Sequence, residues 1–340
     1  MHPFRHRDRT DLVTCGAAVR VHLLATGGTI ASRHTDAGVV ASASGAELLS
    51  GLPHRLLSAD VQVSTSDVGI RGSYAFTLDD MKAIADAVVD ACESGADAVV
   101  VTHGTDSMEE TAFLTELLHE GDQPVIFTGA QRPFDDPDGD GLRNLALAVA
   151  TAADPSRRGT GVLVVFADLV LPAVGVRKVS TERLAAFGNP LRDRPDPERR
   201  GSLKGASMAL AHQNLAPVSV VAAAPGGDGT AVRDACSHGP RGLVLQALGI
   251  GNASLADAQA VAEATTAGIP VLVTSRVQEG PVKPVYGNGG GKALEDAGAV
   301  FAGQLSTWQA RILLSVCLTL STTTGLDLAV SWIRRQATPH

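Results

Sequence analysis

Short, wholly apolar segments alternate in this chain with longer segments whose apolar residues recur every three or four positions. The apolar segments are predicted strands: Val21–Ala25, Ala98–Val101, Val125–Phe127, Gly161–Phe166, Val218–Ala222, Gly242–Gln246 and Pro270–Thr274. The periodic segments are predicted helices: Leu78–Val89, Ala112–Leu118, Leu142–Ala152, Leu255–Ala267 and Trp308–Leu320. Strands without a polar face are buried on both sides, and strands that alternate with helices pair in parallel. The predicted fold class is therefore α/β, with a doubly wound, mainly parallel sheet.

The length of the chain, 340 residues, suggests about two domains. The stretch Asn189–Gly205 is rich in proline and charge and lacks an apolar period, which is typical of a linker. We predict an N-terminal extension at residues 1–19 and a larger N-terminal domain, carrying the doubly wound sheet, at 20–189. A linker at 190–217 then leads to a smaller C-terminal α/β domain at 218–340.

The composition of the chain excludes several classes of protein. Hydrophobic residues make up 44% of the chain and charged residues 19%, which excludes a disordered protein. The net charge of −8 argues against a nucleic-acid partner. No apolar run approaches the roughly 18 residues of a membrane span. We therefore expect a small-molecule partner, and neither nucleic acid nor a membrane.

The cysteines and the start of the chain bear on its compartment. Cys15, Cys92, Cys236 and Cys317 lie far apart and form no CxxC pair. This scatter fits neither a zinc site nor a disulfide framework, and we expect buried thiols in a reducing compartment. The first 20 residues are polar and basic and lack the apolar core of a secretory signal. We predict a cytoplasmic protein.

Three predicted strands end in a threonine that a glycine-containing turn follows: Thr26–Thr29, Thr102–Thr105 and Thr128–Ala130. Ligands of doubly wound sheets bind at the carboxyl ends of the strands. Glycines allow a ligand to approach the backbone and leave N–H groups available for an oxyanion. We predict that the three turns line one pocket, with Gly28 and Ala130 among the binding residues. The alternative is that they are ordinary tight turns.

The second turn carries a carboxylate. Asp106 directly precedes a predicted helix, where the helix dipole favours an ionised side chain that can hold a substrate ammonium group. Ser107 and Glu110 have the spacing of a capping box. For His103, within the same turn, we expect a structural imidazole that bonds to the backbone rather than a general base.

Two segments resemble the signatures of the bacterial-type L-asparaginase family, enzymes that hydrolyse L-asparagine to L-aspartate and ammonia. They are VHLLATGGTIAS at 21–32 and DAVVVTHGTDSMEET at 97–111. The resemblance continues in PVIFTGAQRP (124–133), GVLVVFADLVLPAVGVRKVST (161–181), RGLVLQALGIGN (241–252) and, more loosely, TSRVQEGPVKPVYGNGGG (274–291). It covers most of the chain from about residue 20.

The resemblance implies a role for individual residues. Thr29 matches the nucleophilic threonine of the family. Thr105 and Asp106 match its second threonine and the adjacent aspartate, and both are candidates for substrate contact. Lys178 matches the catalytic lysine. Ser73 aligns with the serine that holds the α-carboxylate of the substrate.

The resemblance also implies a homotetramer in which the small domain of a neighbouring subunit completes each active site, without metal or cofactor. Tyr286 and Asn252 are the candidates for such a contribution in trans. One departure concerns the mobile loop after the first signature. It carries a tyrosine in well-known members, but residues 32–44 contain none here. Another group must fill that role, or Thr29 has a different base.

The reaction predicted from these residues is acyl transfer in two steps through an ester on Thr29. Lys178 has two possible roles, as proton acceptor for a threonine hydroxyl or as a cation near Thr105. Alternatives to an asparaginase are a glutaminase-asparaginase and the amidase component of a transfer-RNA amidotransferase. A non-catalytic, amino-acid-binding regulatory module is a further alternative from another class.

Overall fold

The elements of the N-terminal half surround one six-stranded sheet in the computed structural model, which describes residues 18–53, 58, 60–190, 201–321 and 323–337. The strands are β1 Val19–Gly27, β2 Ser32–Thr35, β3 Gly38–Ala41, β4 Val61–Arg71, β5 Ala98–Thr102, β6 Val125–Thr128, β7 Val162–Phe166, β8 Leu169–Pro172, β9 Arg177–Lys178, β10 Phe187–Gly188, β11 Val218–Ala222, β12 Gly242–Ala247, β13 Val271–Ser275 and β14 Val300–Phe301. The helices are α1 Gly45–Ser50, α2 Leu78–Glu93, α3 Met108–Leu118, α4 Gly141–Ala153, α5 Ala206–Ala209, α6 Thr230–Ser237, α7 Leu255–Thr266, α8 Gly291–Asp296, α9 Thr307–Leu320 and α10 Gly325–Ala337.

The large sheet has the order β4-β1-β5-β6-β7-β8, with every pair parallel except β7 with β8. Apolar side chains of β5 point alternately to the two faces. Val100 packs with residues of α4, whereas Val99 and Val101 pack with residues of α2 and α3. Because both faces are covered by helices, the central strands β5, β6 and β7 are buried along their whole length and carry no polar face. The doubly wound, mainly parallel sheet is confirmed.

A second sheet, β11-β12-β13-β14, is parallel throughout and lies in the C-terminal half. Helix α9 packs on one of its faces, and α7 and α8 contribute to the cluster on the other. The predicted smaller C-terminal α/β domain is therefore confirmed as a fold. Each of the seven predicted strands is observed, with ends that differ by at most two residues.

The two halves share a core. Trp332 of α10 is fully buried, its ring meets that of Phe113 edge-on at 5.4 Å, and its Nε1 donates to the carbonyl oxygen of Gly201 at 2.6 Å. Leu203 and Leu210, from the predicted linker, are buried in the same cluster. The domain boundaries stay a prediction, and residues 1–17 and 191–200 lie outside the described part of the chain.

Three of the four cysteines lie in the described residues, and all three are free thiols. Cys92 and Cys317 are buried, and Cys236 is half-buried. Burial raises the pKa of the Cys92 thiol to about 11 and that of Cys317 to about 12, so neither is a nucleophile near neutral pH. Cys15 lies outside the described residues. Within them, no helix combines the length and apolarity that a membrane crossing requires.

Candidate active site

Three loops meet beyond the carboxyl ends of β4, β1 and β5 and enclose a cavity of about 400 Å³. Its wall consists of residues 28, 29 and 32 after β1, residues 39–41 of β3, residues 70–74 at the end of β4 and just after it, and residues 104–106 after β5. The chain continues from β1 to β4 on one side and then crosses to β5 on the other, so β1 and β5 form the switch point of the sheet. Doubly wound sheets bind ligands at this point.

Two glycines allow the loops to come this close. Gly28 has φ +79°, and a Cβ there would lie 2.3 Å from the Cα of Gly104. A Cβ on Gly104 would in turn lie 2.5 Å from the Oγ of Ser73. Any side chain at either position would therefore separate the turns that carry Thr29, Thr105 and Ser73.

Two of the three strand-ending threonines make structural hydrogen bonds, and the next threonine in each of the first two turns lies at the cavity. Thr26 donates its hydroxyl to the carbonyl oxygen of Thr102 at 2.9 Å, and Thr128 donates to that of Val165 at 2.8 Å. Thr29 and Thr105 line the cavity. Ala130, in the third turn, is fully buried in the core and is not part of the wall. Two of the three turns thus form the site.

Lys178 reaches this wall from β9. Its Nζ donates to the hydroxyl oxygen of Thr105 at 2.8 Å and to Oδ1 of Asp106 at 2.8 Å. The lysine side chain is 21% exposed and that of Asp106 is 54% exposed, so the ion pair lies at the border of the cavity. In the fold, Lys178 therefore contacts two residues that precede it in the chain by more than 70 positions.

The predicted capping box of Ser107 and Glu110 is wrong. Ser107 is the N-cap residue of α3 but makes no capping bond with its side chain. Its hydroxyl instead donates to the carbonyl oxygen of Ser73 at 2.9 Å, and the N–H of Asp106 donates to Oγ of Ser73 at 3.2 Å. Glu110 pairs with Arg311 at 3.4 Å. The hydroxyl thus fastens the Ser73 turn to the Asp106 turn.

His103 has the structural role expected from the sequence. It is fully buried, and its Nδ1–H donates to the carbonyl oxygen of Gly104 at 2.7 Å. Burial lowers the pKa of this imidazole to about 4, and the bond to Gly104 opposes that shift only in part. His103 is therefore neutral near pH 7 and stabilises the turn.

The loop after the first signature forms the hairpin of β2 and β3, whose Val39 and Val40 line the cavity. Arg33 pairs with Glu47 at 2.9 Å, and His34 pairs with Asp135 at 2.9 Å. These contacts hold the hairpin against α1 and the loop after β6.

Sequence reasoning missed two further residues of the wall, Arg71 and Tyr74. The Tyr74 side chain is 81% exposed, and its ring lies over the backbone of Gly72. Arg71 pairs with Asp80, and its guanidinium carbon lies 5.2 Å from the centroid of the Phe76 ring. The only sequence signal for either was its position next to Ser73.

Comparisons with known proteins fit this geometry. Residues 20–195 match the family described as "Asparaginase, N-terminal", and residues 217–325 match "Glutaminase/Asparaginase C-terminal domain". Over 316 residues the chain is 35% identical to the probable L-asparaginase of Deinococcus radiodurans, covering 88% of this chain and 93% of that protein. The chain belongs to the asparaginase family.

Two other relatives agree. The L-asparaginase of Bacillus licheniformis is 31% identical over 311 residues, which cover 88% of this chain and 95% of that protein. The crystal structure of a probable cytoplasmic L-asparaginase from Campylobacter jejuni superposes with a TM-score of 0.78 at 27% identity. That match covers 92% of this chain and 99% of the other. The resemblance to the asparaginase family stated from the two threonine segments is confirmed.

The two residues predicted to act in trans lie in the C-terminal half of this asparaginase-family chain, and neither lines the cavity of its own chain. Tyr286 is 60% exposed. Asn252 accepts the N–H of Gly291, the first residue of α8, on its Oδ1 at 2.9 Å. Their contribution to a neighbouring subunit stays a prediction. Among the described residues, no group of His, Cys, Asp or Glu has the arrangement of a metal site.

Proposed function

We propose that this chain hydrolyses the side-chain amide of L-asparagine to L-aspartate and ammonia. The observation that carries the proposal is the arrangement of Lys178, whose Nζ lies 2.8 Å from Thr105 and from Asp106, beside a cavity that Thr29 also lines. A site that only binds an amino acid needs no second threonine bonded to a lysine ammonium group. Family membership supports the same activity.

In the first step, Thr29 attacks the amide carbonyl carbon of the substrate and a C–O bond forms. Backbone N–H groups of the glycine turns stabilise the oxyanion. The C–N bond then breaks, and the proton of the Thr29 hydroxyl reaches the leaving nitrogen, so that ammonia departs. The product is a β-aspartyl ester on Thr29.

In the second step, water attacks the ester carbon, the bond to Thr29 Oγ breaks, and the threonine regains its proton. The Thr105 hydroxyl is the group that passes protons to and from the substrate. The Lys178 ammonium donates to its oxygen, which leaves the hydroxyl proton directed away from the lysine. Of the two roles open for Lys178, this geometry supports the cation that orients and polarises Thr105.

Substrate recognition is assigned to the charged ends of the amino acid. The Asp106 carboxylate is half in solvent and shares only one oxygen with Lys178 in the ion pair given above, so it can accept the substrate ammonium group. Ser73 holds the α-carboxylate from the neighbouring turn. Contacts remote from the amide then place its carbon at Thr29.

The test is ammonia release from L-asparagine and L-glutamine, measured side by side. We expect release from asparagine. A glutaminase-asparaginase is the second candidate, because the C-terminal half matches a family described for both activities. One methylene in a pocket changes discrimination by only about 1–3 kcal/mol, so the ratio of the two rates decides between them. Binding of asparagine without turnover would instead indicate a receptor.

We further propose that the chain acts as a homotetramer, with a homodimer as the alternative. The resemblance to the family and the exposed Tyr286 support a site that a neighbouring small domain completes. Analytical ultracentrifugation is expected to give about four times the 34.9 kDa of one chain. A monomer that is fully active at nanomolar concentration would contradict this.

We also propose a cytoplasmic location. Free thiols at Cys92, Cys236 and Cys317 are typical of a reducing compartment. The structural relative from Campylobacter jejuni is described as a probable cytoplasmic enzyme. Fractionation of the native cells is expected to recover the protein with cytoplasmic markers, and recovery with periplasmic or extracellular markers would contradict the proposal.

A further inference from the structure

Glu109 is a buried residue that lies outside the cavity wall but accepts a hydrogen bond from the backbone of Lys178. It is the second residue of α3, and only 8% of it is exposed. Its Oε2 accepts the backbone N–H of Lys178 at 2.8 Å. Strand β9 is only two residues long and pairs with β10 alone in the described part of the chain. Glu109 is thus one of few contacts that fix the backbone from which the lysine side chain extends.

The other carboxylate oxygen of Glu109 faces the C-terminal half of the chain. Ser306 Oγ donates to Oε1 at 3.4 Å, and Ser306 is the N-cap residue of α9. Gln309, one turn into α9, donates to the backbone oxygen of Glu109 at 3.4 Å and accepts the N–H of Gly175 at 2.9 Å. The carboxylate therefore lies between α9 and the segment that leads into β9.

Arg177 holds the same segment from the opposite direction. Its guanidinium donates to the carbonyl oxygens of Gln278 and, at 2.8 Å, of Gln304, and its charge acts on Glu109. The charged groups that act on Glu109 are thus Glu110 on its own helix and Arg177 on β9. Glu109 and Arg177 are both buried.

We propose that Glu109 is a positioning residue for the hydrolysis proposed above: it fixes the Lys178 backbone, and thereby sets the place from which the ammonium group reaches Thr105 and Asp106. The inference rests on the proposed function. It adds that the lysine is positioned from two sides, by α3 of the large domain and, through Ser306, by α9 of the small one.

The protonation state of Glu109 links this positioning to pH. Burial raises the pKa of Glu109 to about 7 and the charge of Glu110 adds to the rise, while the bond from the Lys178 N–H, the charge of Arg177 and the bond from Ser306 oppose it. Above about pH 7 the ionised carboxylate makes a charge-assisted bond to the Lys178 N–H. Below that pH the protonated group is a weaker acceptor, so kcat should fall as Glu109 gains its proton.

Glu109→Gln tests the proposal, because glutamine preserves the shape and removes the charge and the titration. At pH 8 we expect kcat for asparagine to fall about 10- to 100-fold with KM nearly unchanged, since a displaced catalytic group costs about this much. The fall of kcat near pH 7 in the wild type should disappear in the variant. The melting temperature at pH 8 should not decrease, because a buried charge is removed; a residue with a merely structural role would lower it.

Glu110→Gln is the matched control. Glu110 is the next residue of the same helix and is also largely buried, but its carboxylate pairs with Arg311 and not with Lys178. We expect its kcat at pH 8 to equal that of the wild type. The fall of kcat should persist and move to lower pH, because the charge of Glu110 adds to the rise of the Glu109 pKa. Should Glu109→Gln fail to fold, Glu109→Asp replaces it: the shorter carboxylate withdraws from the Lys178 N–H, so kcat falls while a titration remains.

Wild-type kcat and an unchanged pH profile in Glu109→Gln would overturn the positioning role and leave the proposed function intact. A wild-type protein that is folded and releases no ammonia from asparagine or glutamine would overturn the proposed function, and the positioning role with it. An equal loss in Glu109→Gln and Glu110→Gln would assign the effect to the helix as a whole and would also overturn the proposal.

Discussion

Replacement of Thr29 by alanine is expected to reduce kcat for asparagine by on the order of 10⁴-fold or more, the size of effect that loss of a catalytic nucleophile has in hydrolases. Thr29 lines the cavity and is the residue to which the substrate acyl group is transferred in the proposed mechanism. Without its hydroxyl no ester forms, and the oxyanion site and substrate contacts support only slow attack by water. The measurement is steady-state ammonia release by wild type and variant.

Two further variants show whether the loss comes from the nucleophile. Thr29→Ser retains a hydroxyl at the same place and is expected to recover a substantial part of the activity. Binding of asparagine to Thr29→Ala, measured by calorimetry, should remain, because Ser73 and Asp106 are unchanged. A Thr29→Ala protein that still forms a covalent acyl-enzyme, detected by mass spectrometry on Thr105, would assign the nucleophile to Thr105 instead.

The strands and the two threonine turns were predictable because their signals are local. A wholly apolar segment such as Ala98–Val101 is a buried strand wherever it lies in the sheet, and the turn that follows it must lie at a carboxyl end. Thr29, Thr105 and Asp106 were found in this way. The same reasoning placed Ala130 at the cavity. Strand β6, however, lies beyond the switch point of the sheet, and the turn that follows it packs into the core.

Strand β4 was not predicted, and with it Arg71 and Tyr74 were missed. Its residues Val61–Arg71 include two serines, a threonine and an aspartate, and none of its 11 residues is fully buried. This pattern follows from its place at the edge of the sheet, where it pairs only with β1 within the described residues. A strand with this exposure resembles a loop in sequence.

The roles of Lys178 and Glu109 could not be predicted from any local sequence pattern. Nothing in the sequence around Lys178 indicates that its ammonium group meets residues 72 and 73 positions earlier, and only the resemblance to a family assigned it a role. Glu109 resembles an exposed acidic residue in the first turn of a helix. It is instead buried and bonded to Ser306 and Gln309 at the start of α9, 197 and 200 positions further along the chain, and this contact between the two domains could not be predicted.

Replacement of Lys178 by methionine is the second large effect. We expect kcat to fall about 10²- to 10⁴-fold, the usual contribution of a group that assists proton transfer. KM should stay the same or decrease, because Asp106 loses its cationic partner at 2.8 Å and its carboxylate then binds the substrate ammonium group more strongly. Steady-state kinetics with asparagine separate the two parameters.

Lys82→Met provides the matched control. Lys82 also forms an ion pair, with Nζ 2.6 Å from Asp86 on α2, and is buried, but it lies outside the cavity wall. Its replacement should leave kcat unchanged. Lys178→Arg keeps the positive charge and replaces a compact donor with a planar fork, so we expect only partial recovery.

The three results together identify what the lysine contributes. Recovery to wild-type kcat in Lys178→Arg would mean that a positive charge alone is sufficient. The exact position of the Lys178 backbone, which Glu109 fixes, would then have little effect on kcat. Full activity in Lys178→Met would contradict the proposed mechanism, because no other cation is bonded to Thr105 in the described part of the chain. A large loss of kcat in Lys178→Met that Lys178→Arg recovers only in part would show that the reaction needs both the positive charge and its exact placement. The 2.8 Å contact between Lys178 Nζ and Thr105 supports this role.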